Sequence, residues 1–181
     1  MLRLPDDVFW PRLKQEIEEV ACHEDFKVEK MNDLEFVITI KAKGYEPSQN
    51  KNEAPKKKDV HKVRIYVPRE YPYAAPRLNW LTSILHSNIC PPDEEYHGIK
   101  GFVCIEGLNY YKPFSLNLVS LCESIRNIIE NPNPASTIPT STPKKASEFF
   151  RKNMSALRDE PIIYLSESGP SSESLPRLIR R

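Results

Sequence analysis

The stretch ILHSNICPPDEEYHGIKGFVCIEG, residues 84–107, divides the sequence into two parts of different character. Before it, short segments alternate apolar and polar residues as strands do, and after it, apolar residues recur at helical spacing. The stretch itself shows neither pattern, and the passage without a predicted element runs on to about Pro113. Structureless loops longer than about 12–15 residues are uncommon in compact domains and are usually functional. We therefore expect the functional site here.

Two kinds of chemistry are compatible with this stretch. In the first, one cysteine is a nucleophile that is assisted by a polar residue such as Asn88. In the second, a metal ion is bound by His86, Cys90, His97 and Cys104. All four side chains are zinc-ligand types, but their H-x3-C-x6-H-x6-C spacing lacks the close C-x2-C pair of typical zinc sites. The nucleophile interpretation is favoured, and we expect no metal.

The part before the stretch predicts one helix and four strands. A helix is expected over residues 11–24, and Phe9, Leu13, Ile17 and Val20 keep near-helical spacing on one face. Residues 26–44 predict two strands joined by a turn at Asn32-Asp33, and residues 60–68 predict a third after a polar loop. A short fourth strand is expected around residues 78–80. Consecutive strands with short connections indicate an antiparallel meander.

The part after the stretch predicts two helices and a tail. Residues 115–134 carry a broad apolar face, with Ser115 as the expected N-cap and an Asn-Pro pair at the end. Residues 142–159 predict the last helix. Segregated strands and helices indicate an α+β fold: an N-terminal helix, a four-stranded antiparallel meander, a long active-site loop, a crossover helix and a C-terminal helix. We assign residues 1–160 to one catalytic domain and residues 161–181, which are Ser-rich and then basic, to a flexible tail.

Composition limits the function classes. The 181 residues carry a formal net charge of +1, so no overall field attracts nucleic acid or an anionic membrane. No apolar run approaches the roughly 20 residues of a membrane span, and the first residues lack the apolar core of a signal peptide, so we expect a cytoplasmic protein. Four scattered cysteines in a chain of this size predict reduced thiols. Only five glycines are present, and neither a phosphate-binding loop nor a dinucleotide fingerprint occurs.

Six motifs in the right order resemble those of the ubiquitin-conjugating enzymes. That family has a Tyr-Pro motif, an x-Pro-Pro-x-hydrophobic segment, a His-Pro-Asn tripeptide, a Gly-x-hydrophobic-Cys-hydrophobic segment, a Trp-x-Pro motif and a crossover helix ending in Asn-Pro. The matching stretches here are EYPYAAPRLNWLTSILHSN, GFVCIE, YYKP and SLCESIRNIIENPNP. The resemblance is densest over residues 63–134 and implies a divergent member of the family.

The resemblance implies a catalytic set. Cys104 matches the cysteine that accepts the C-terminal carboxyl of ubiquitin or a ubiquitin-like protein as a thioester. Asn88 matches the asparagine of the tripeptide, whose amide is suited to stabilising an oxyanion. Glu106 falls where many members have an acid, which makes it a candidate to orient the incoming lysine.

The resemblance also implies structural and partner-binding residues. His86 matches the histidine of the tripeptide, which usually braces the loop, and Tyr111 stands in place of the tryptophan near the site. Tyr73, Pro113 and Phe114 match positions that family members use to bind a RING-type ligase. The implied partners are thus a ubiquitin-like protein, an activating enzyme, a RING-type ligase and substrate lysines. Because the activating enzyme spends the ATP, no cofactor is implied here.

Several departures from the family pattern leave an alternative open. Ser87 replaces the usual proline, Cys104 follows Asn88 by sixteen positions because of an insertion at 89–100, and Ala135-Ser136 stand where an acid is often found. A protein with this fold that binds a ubiquitin-like protein without chemistry is therefore the alternative to an enzyme. The presence of Cys104 and Asn88 favours the enzyme.

Overall fold

The computed structural model describes residues 2–48, 50, 53–105 and 117–157, which form three helices and six strands within these ranges. In chain order the elements are α1 (Asp6–Cys22), β1 (Phe26–Lys30), β2 (Glu35–Glu46), β3 (Lys56–Tyr66), β4 (Arg77–Trp80), β5 (Glu95–Tyr96), β6 (Ile99–Lys100), α2 (Leu118–Glu130) and α3 (Ser141–Leu157). None of the described helices is both long and apolar enough to cross a membrane.

The first four strands form one antiparallel sheet in the order β1-β2-β3-β4. The predicted turn between β1 and β2 is closed by the Asn32 side chain, whose Oδ1 accepts a 3.0 Å hydrogen bond from the Leu34 nitrogen. Phe36, Ile38 and Ile40 alternate along β2, and all three are buried. Successive side chains of a strand point to opposite faces, so this alternation places one apolar face of the sheet in the core. The predicted meander is confirmed.

Helices α1 and α2 cover the apolar face of the sheet. α2 packs across β2, and α1 packs against both β1 and α2. Most of the predicted apolar positions are fully buried: Phe9, Leu13 and Val20 in α1, and Leu118, Leu121, Cys122, Ile125 and Ile129 in α2. Ile17 and Ile128, on the same predicted faces, are partly buried. The helix-sheet layer confirms the predicted α+β fold class.

The stretch predicted to lack regular structure contains a small hairpin. β5 and β6 pair antiparallel, with Glu95 opposite Lys100 and Tyr96 opposite Ile99. The turn between them consists of His97 and Gly98, both with positive φ, of 52° and 75°. Two positive φ values in a two-residue loop match the right-handed twist of a hairpin. A strand of two residues is too short to show an alternation of apolar and polar residues, so the sequence did not predict β5 and β6.

Three element boundaries also differ from the prediction. α1 begins at Asp6, so Pro11 lies inside the helix and not in its first turn. β3 begins at Lys56, within the predicted polar loop, and its Lys58 contacts Glu46 at 2.9 Å. α2 begins at Leu118 with Asn117 as its N-cap, whose side chain accepts a 2.8 Å hydrogen bond from the Ser120 nitrogen. The predicted cap, Ser115, lies outside the described residues. So does the predicted tail, residues 161–181.

Candidate active site

Cys104 and Asn88 face each other across a short antiparallel ladder. Ile89 pairs with Val103, the Cys104 nitrogen donates a 2.8 Å hydrogen bond to the Asn88 carbonyl, and the Cys90 nitrogen donates one of 2.8 Å to the Phe102 carbonyl. Ile89 and Val103 are buried in the main core. Because side chains alternate along a strand, those of Asn88 and Cys104 lie together on the opposite side of the ladder.

Cys104 is partly exposed, whereas the other cysteine of the ladder is buried. Cys90 has no exposed surface, and its burial raises the pKa of its thiol. The register places Cys90 opposite Phe102, so it is a diagonal neighbour of Cys104. Diagonal neighbours in a sheet are roughly 7–8 Å apart, with their Cβ atoms somewhat closer, whereas a disulfide needs Cβ atoms about 3.5–4.5 Å apart. The geometry therefore favours Cys104 as the reactive thiol and disfavours a disulfide between the two residues.

The Asn88 carboxamide is held at both ends by the connection that follows α2. Its Oδ1 accepts a 3.0 Å hydrogen bond from the Asn133 nitrogen, and its Nδ2 donates a short hydrogen bond to the Ser136 carbonyl. The residue is 6% exposed. An amide nitrogen carries two hydrogens, so the bond to Ser136 uses one, and the other can donate to an oxyanion. Both bonds fix the plane of the amide.

His86 links Asn88 to the last turn of α2. Its Nδ1 accepts a 3.0 Å hydrogen bond from the Asn88 nitrogen, so Nε2 carries the hydrogen and donates to the Ile128 carbonyl at 2.8 Å. Complete burial lowers the pKa of His86 to about 4, partly offset by its bond to Ile128. His86 is thus neutral at pH 7, with both ring nitrogens engaged in positioning Asn88 and α2.

The hairpin segment, residues 91–101, is anchored at its base. The Glu94 carboxylate accepts hydrogen bonds from the Thr142 nitrogen at 2.9 Å and from the Thr142 hydroxyl at 2.6 Å. On its other side, the Trp80 nitrogen donates a 2.7 Å hydrogen bond to the Gly101 carbonyl. The Tyr96 ring packs edge-on against Phe102, with ring centres 5.3 Å apart. The insertion before Cys104 is therefore folded against β4 and α3.

The structure does not bring the proposed metal ligands together. No group of three or more His, Cys, Asp or Glu side chains within the described ranges is arranged to hold a metal ion. Among the four candidates, His86 uses both ring nitrogens in hydrogen bonds, Cys90 lies beside the Thr140 hydroxyl at 3.5 Å, and His97 lies exposed at the hairpin tip. These contacts speak against the zinc alternative.

The remaining site predictions fall in two groups. Tyr73 is 39% exposed, in the turn that follows the Tyr71-Pro72 pair. Glu106, Tyr111, Pro113 and Phe114 lie outside the described residues, and their predicted roles stay predictions.

Sequence reasoning missed the residues that hold Asn88 and the hairpin segment. Asn133 and Ser136 contact Asn88 through main-chain atoms, which any residue type supplies, so their identity carries no signal. Glu94 stands in an acidic run, and nothing in the sequence links it to Thr142 forty-eight positions later. The Ser/Thr-rich start of α3 was the available hint, since such residues favour helix N-termini.

The fold and site together define the class to which the protein belongs. An α+β layer carries a partly exposed cysteine opposite an asparagine, on a ladder that precedes the crossover helix α2. A family model described as ubiquitin-conjugating enzyme matches residues 12–158. The chain belongs to this family.

Individual relatives agree with this placement. The chain is 32% identical over 85 residues to ubiquitin-conjugating enzyme E2 T of Bos taurus, covering 44% of this chain and 39% of that protein. It is 31% identical over 87 residues to ubiquitin conjugating enzyme E2 B of Dictyostelium discoideum, covering 48% of this chain and 53% of that protein. The matches thus span about two fifths to about half of the length of these relatives.

A solved structure shows the same fold at low sequence identity. The E2 domain of a Toxoplasma gondii ubiquitin conjugating enzyme superposes with a TM-score of 0.56 at 18% identity. The match covers 81% of this chain and 89% of that domain.

Proposed function

We propose that this protein is a ubiquitin-conjugating enzyme that carries ubiquitin or a ubiquitin-like protein as a thioester on Cys104. It then transfers the modifier to a lysine amine. The observation that carries the proposal is the pairing of a partly exposed Cys104 with Asn88 across the ladder. Family membership over residues 12–158 supports the same activity.

The first step is an exchange of thioesters. The Cys104 thiolate attacks the carbonyl carbon of the modifier's C-terminal thioester on the activating enzyme, a new C–S bond forms, and the activating enzyme's cysteine leaves as a thiolate. An ordinary cysteine, with a pKa of roughly 8.5, is a few per cent thiolate at neutral pH. This fraction suffices because the acyl donor is itself a thioester and is held close, which raises its effective concentration.

The second step is attack by a neutral lysine amine on the Cys104 thioester. The C–N bond forms through a tetrahedral oxyanion, the C–S bond breaks, Cys104 leaves as a thiolate, and the amine's proton passes to solvent or to a nearby base. The Asn88 amide lies on the Cys104 side of the ladder and is held in a fixed plane by Asn133 and Ser136. A preorganised donor of this kind lowers the cost of the oxyanion. Glu106 stays the candidate to orient the lysine.

The partners follow from the same proposal. An activating enzyme supplies the modifier, so no cofactor is needed on this chain, and substrate lysines receive it. A RING-type ligase is the proposed partner at Tyr73, which is exposed, together with Pro113 and Phe114. A cytoplasmic location is part of the proposal and rests on composition.

A thioester assay tests the proposal. The protein is mixed with an activating enzyme, ATP and ubiquitin or a ubiquitin-like protein, and products are separated with and without reductant. We expect a reductant-sensitive conjugate that Cys104→Ser abolishes and that Cys90→Ser, at the buried cysteine of the same ladder, retains. A panel of modifiers that yields no conjugate, while one of them binds, would instead indicate an adaptor without chemistry.

A further inference from the structure

The α2–α3 segment, residues 131–142, is held against the ladder that carries Cys104 by a series of hydrogen bonds, which we call the clasp. It is held at successive points along its length by side-chain and main-chain contacts. In order these are Asn133 nitrogen to Asn88 Oδ1 (3.0 Å), Ser136 carbonyl to Asn88 Nδ2, Ile138 nitrogen to Ser87 carbonyl (3.0 Å), Thr140 hydroxyl to Cys90 Sγ (3.5 Å), and Thr142 to Glu94.

Glu94 closes this clasp at the first turn of α3. The Lys144 nitrogen bonds to the Thr140 carbonyl at 3.2 Å, which makes Thr140 the cap residue and Thr142 the second residue of the helix. The Glu94 carboxylate accepts hydrogen bonds from the Thr142 nitrogen and hydroxyl. It therefore does what an N-cap side chain does, although Glu94 is distant from α3 in sequence. Its negative charge also suits the positive end of the helix dipole.

The clasp is the structural link between the hairpin segment and Asn88. A proline at position 87 would stiffen the backbone through its ring, and Ser87 has no such ring. The Ser87 hydroxyl is buried without a hydrogen-bond partner among the described atoms. The amide plane of Asn88 is therefore set chiefly by Asn133 and Ser136. Those residues are exposed and belong to an irregular connection, so their position depends on the contacts that hold it. It is anchored by α2 at one end and by the Glu94 contact at the other. Between them, Ile138 bonds to the Ser87 carbonyl, Arg151 donates to the Pro134 carbonyl, and the Thr137 hydroxyl bonds to Ser147.

We propose that Glu94 is a positioning residue for the lysine-transfer step. By fixing the α2–α3 segment at Thr142, it keeps the Asn88 carboxamide oriented toward the oxyanion that forms at Cys104. This role rests on the proposed function above. It also explains what the insertion before Cys104 contributes, because the insertion supplies the carboxylate that closes the clasp.

The two chemical steps separate this role from a general effect on folding. Thioester exchange onto Cys104 depends mainly on an accessible thiol and a nearby donor. Aminolysis depends in addition on the orientation of the oxyanion donor. Loss of the Glu94 contact should therefore slow lysine discharge and spare charging.

The test compares Glu94→Gln and Thr142→Val with two matched controls. Asp93→Asn removes a carboxylate beside Glu94, and Thr142→Ser keeps the hydroxyl and the amide. Charging by an activating enzyme is followed first, and then discharge of the purified thioester to free lysine at increasing lysine concentration. The Asn88 side-chain amide is followed by NMR, along with hydrogen exchange at the Ile138 amide.

We expect Glu94→Gln and Thr142→Val to lower the discharge rate at saturating lysine about tenfold, less than the roughly 10²–10³ for loss of an oxyanion donor itself. Charging should change less than about twofold because it depends on proximity. The double variant should lose no more than Glu94→Gln alone, because Thr142→Val removes only the hydroxyl bond to Glu94 and keeps the main-chain one. Both controls should behave as the wild type, and the Asn88 amide signals should shift in the two test variants alone.

Two results would overturn the proposal: unchanged Asn88 signals and discharge in Glu94→Gln, or equal losses in charging and discharge. The proposed function fails separately, when the wild type forms no thioester with any modifier. In that case an Asn88 signal shift in Glu94→Gln still supports the clasp, and its absence refutes it.

Discussion

The Cys104 nitrogen donates a 2.8 Å hydrogen bond to the Asn88 carbonyl, so the two residues are opposite partners on one ladder. Their separation of sixteen positions along the chain is absorbed by the hairpin segment, which leaves and rejoins the ladder between Cys90 and Phe102. An insertion at this place therefore lengthens the loop without changing which residue faces the thiol. The same register puts the side chains of both residues on one side, away from the core.

Replacing Asn88 should separate the two proposed steps most strongly. We expect Asn88→Ala to slow discharge of the Cys104 thioester to lysine by about 10²–10³, because an oxyanion donor is lost. Charging should be much less affected. Single-turnover discharge measures the effect, and Ser136→Ala is the control because it keeps the carbonyl that contacts Asn88. Equal slowing of both steps would mean that Asn88 acts only on the fold.

Two glycines of the hairpin segment should respond differently to alanine. Gly101 and Gly98 both have positive φ, of 62° and 75°. A Cβ at Gly101 would lie 2.7 Å from the Trp80 nitrogen and closer still to the Trp80 carbonyl oxygen, whereas a Cβ at Gly98 would meet nothing within 4 Å. Gly98→Ala should cost only the backbone strain, about 1 kcal/mol.

Gly101→Ala should be the more destabilising of the two, by about 2 kcal/mol or more, because β4 must move away from the hairpin segment. Denaturant unfolding measures both free energies. Since Gly101 precedes Cys104 by three residues, the charging rate should also fall in this variant. Similar unfolding free energies for the two variants would contradict the close approach of Gly101 to Trp80.

Glu16 is a buried carboxylate at the junction of α1, the Tyr71 turn and the start of α2. It accepts a 2.5 Å hydrogen bond from the Tyr71 hydroxyl and one of 3.0 Å from the Leu118 nitrogen, and it pairs with Arg12 at 2.8 Å. Glu16→Ala leaves those donors unsatisfied, so we expect a loss of about 3–5 kcal/mol in the free energy of unfolding.

Glu18→Ala is the matched control for Glu16. Glu18 lies on the same helix but pairs with Lys14 at 3.8 Å on an exposed face. Exposed pairs of this kind contribute about 0–1 kcal/mol, so this variant should unfold near the wild-type midpoint. Equal losses of unfolding free energy in the two variants would show that the buried hydrogen bonds of Glu16 do not stabilise the fold.

Acid should destabilise the protein through His86 before most carboxylates are protonated. Burial lowers its pKa from 6.5 to about 4, so between these values the unfolded chain binds a proton that the folded protein excludes. Its contribution to stability is thus complete above pH 6.5 and is lost as the pH falls toward 4. From pH 7 to pH 5 the loss from His86 is about 2 kcal/mol.

Unfolding free energies at pH 7 and pH 5 measure this loss, with His86→Gln as the comparison. The variant should be less stable at pH 7 but should depend less on pH. Some dependence should persist, because burial also lowers the pKa of His61. If wild type and variant lose the same stability between the two pH values, His86 is not the buried neutral base described above.

Local patterns in the sequence were enough to predict the α+β class and the four-stranded meander. Burial on one face imposes a period of two on β2 and of 3.6 on α2, and these periods can be read directly from Phe36, Ile38, Ile40 and the leucines and isoleucines of α2. The order of six motifs was enough to predict the family, and the resemblance to that family implied Cys104 and Asn88 as the candidate catalytic pair. Those inferences need only residue type and spacing.

Only the tertiary structure decided how the insertion is accommodated and what holds Asn88. The hairpin strands are two residues long, and the contacts of Asn88 with Asn133 and Ser136 use main-chain groups that every residue has. The bond between Glu94 and Thr142 joins residues distant in sequence that are brought together by the packing of α3. Such contacts depend on where the chain returns in space, and no local pattern of residue types records that.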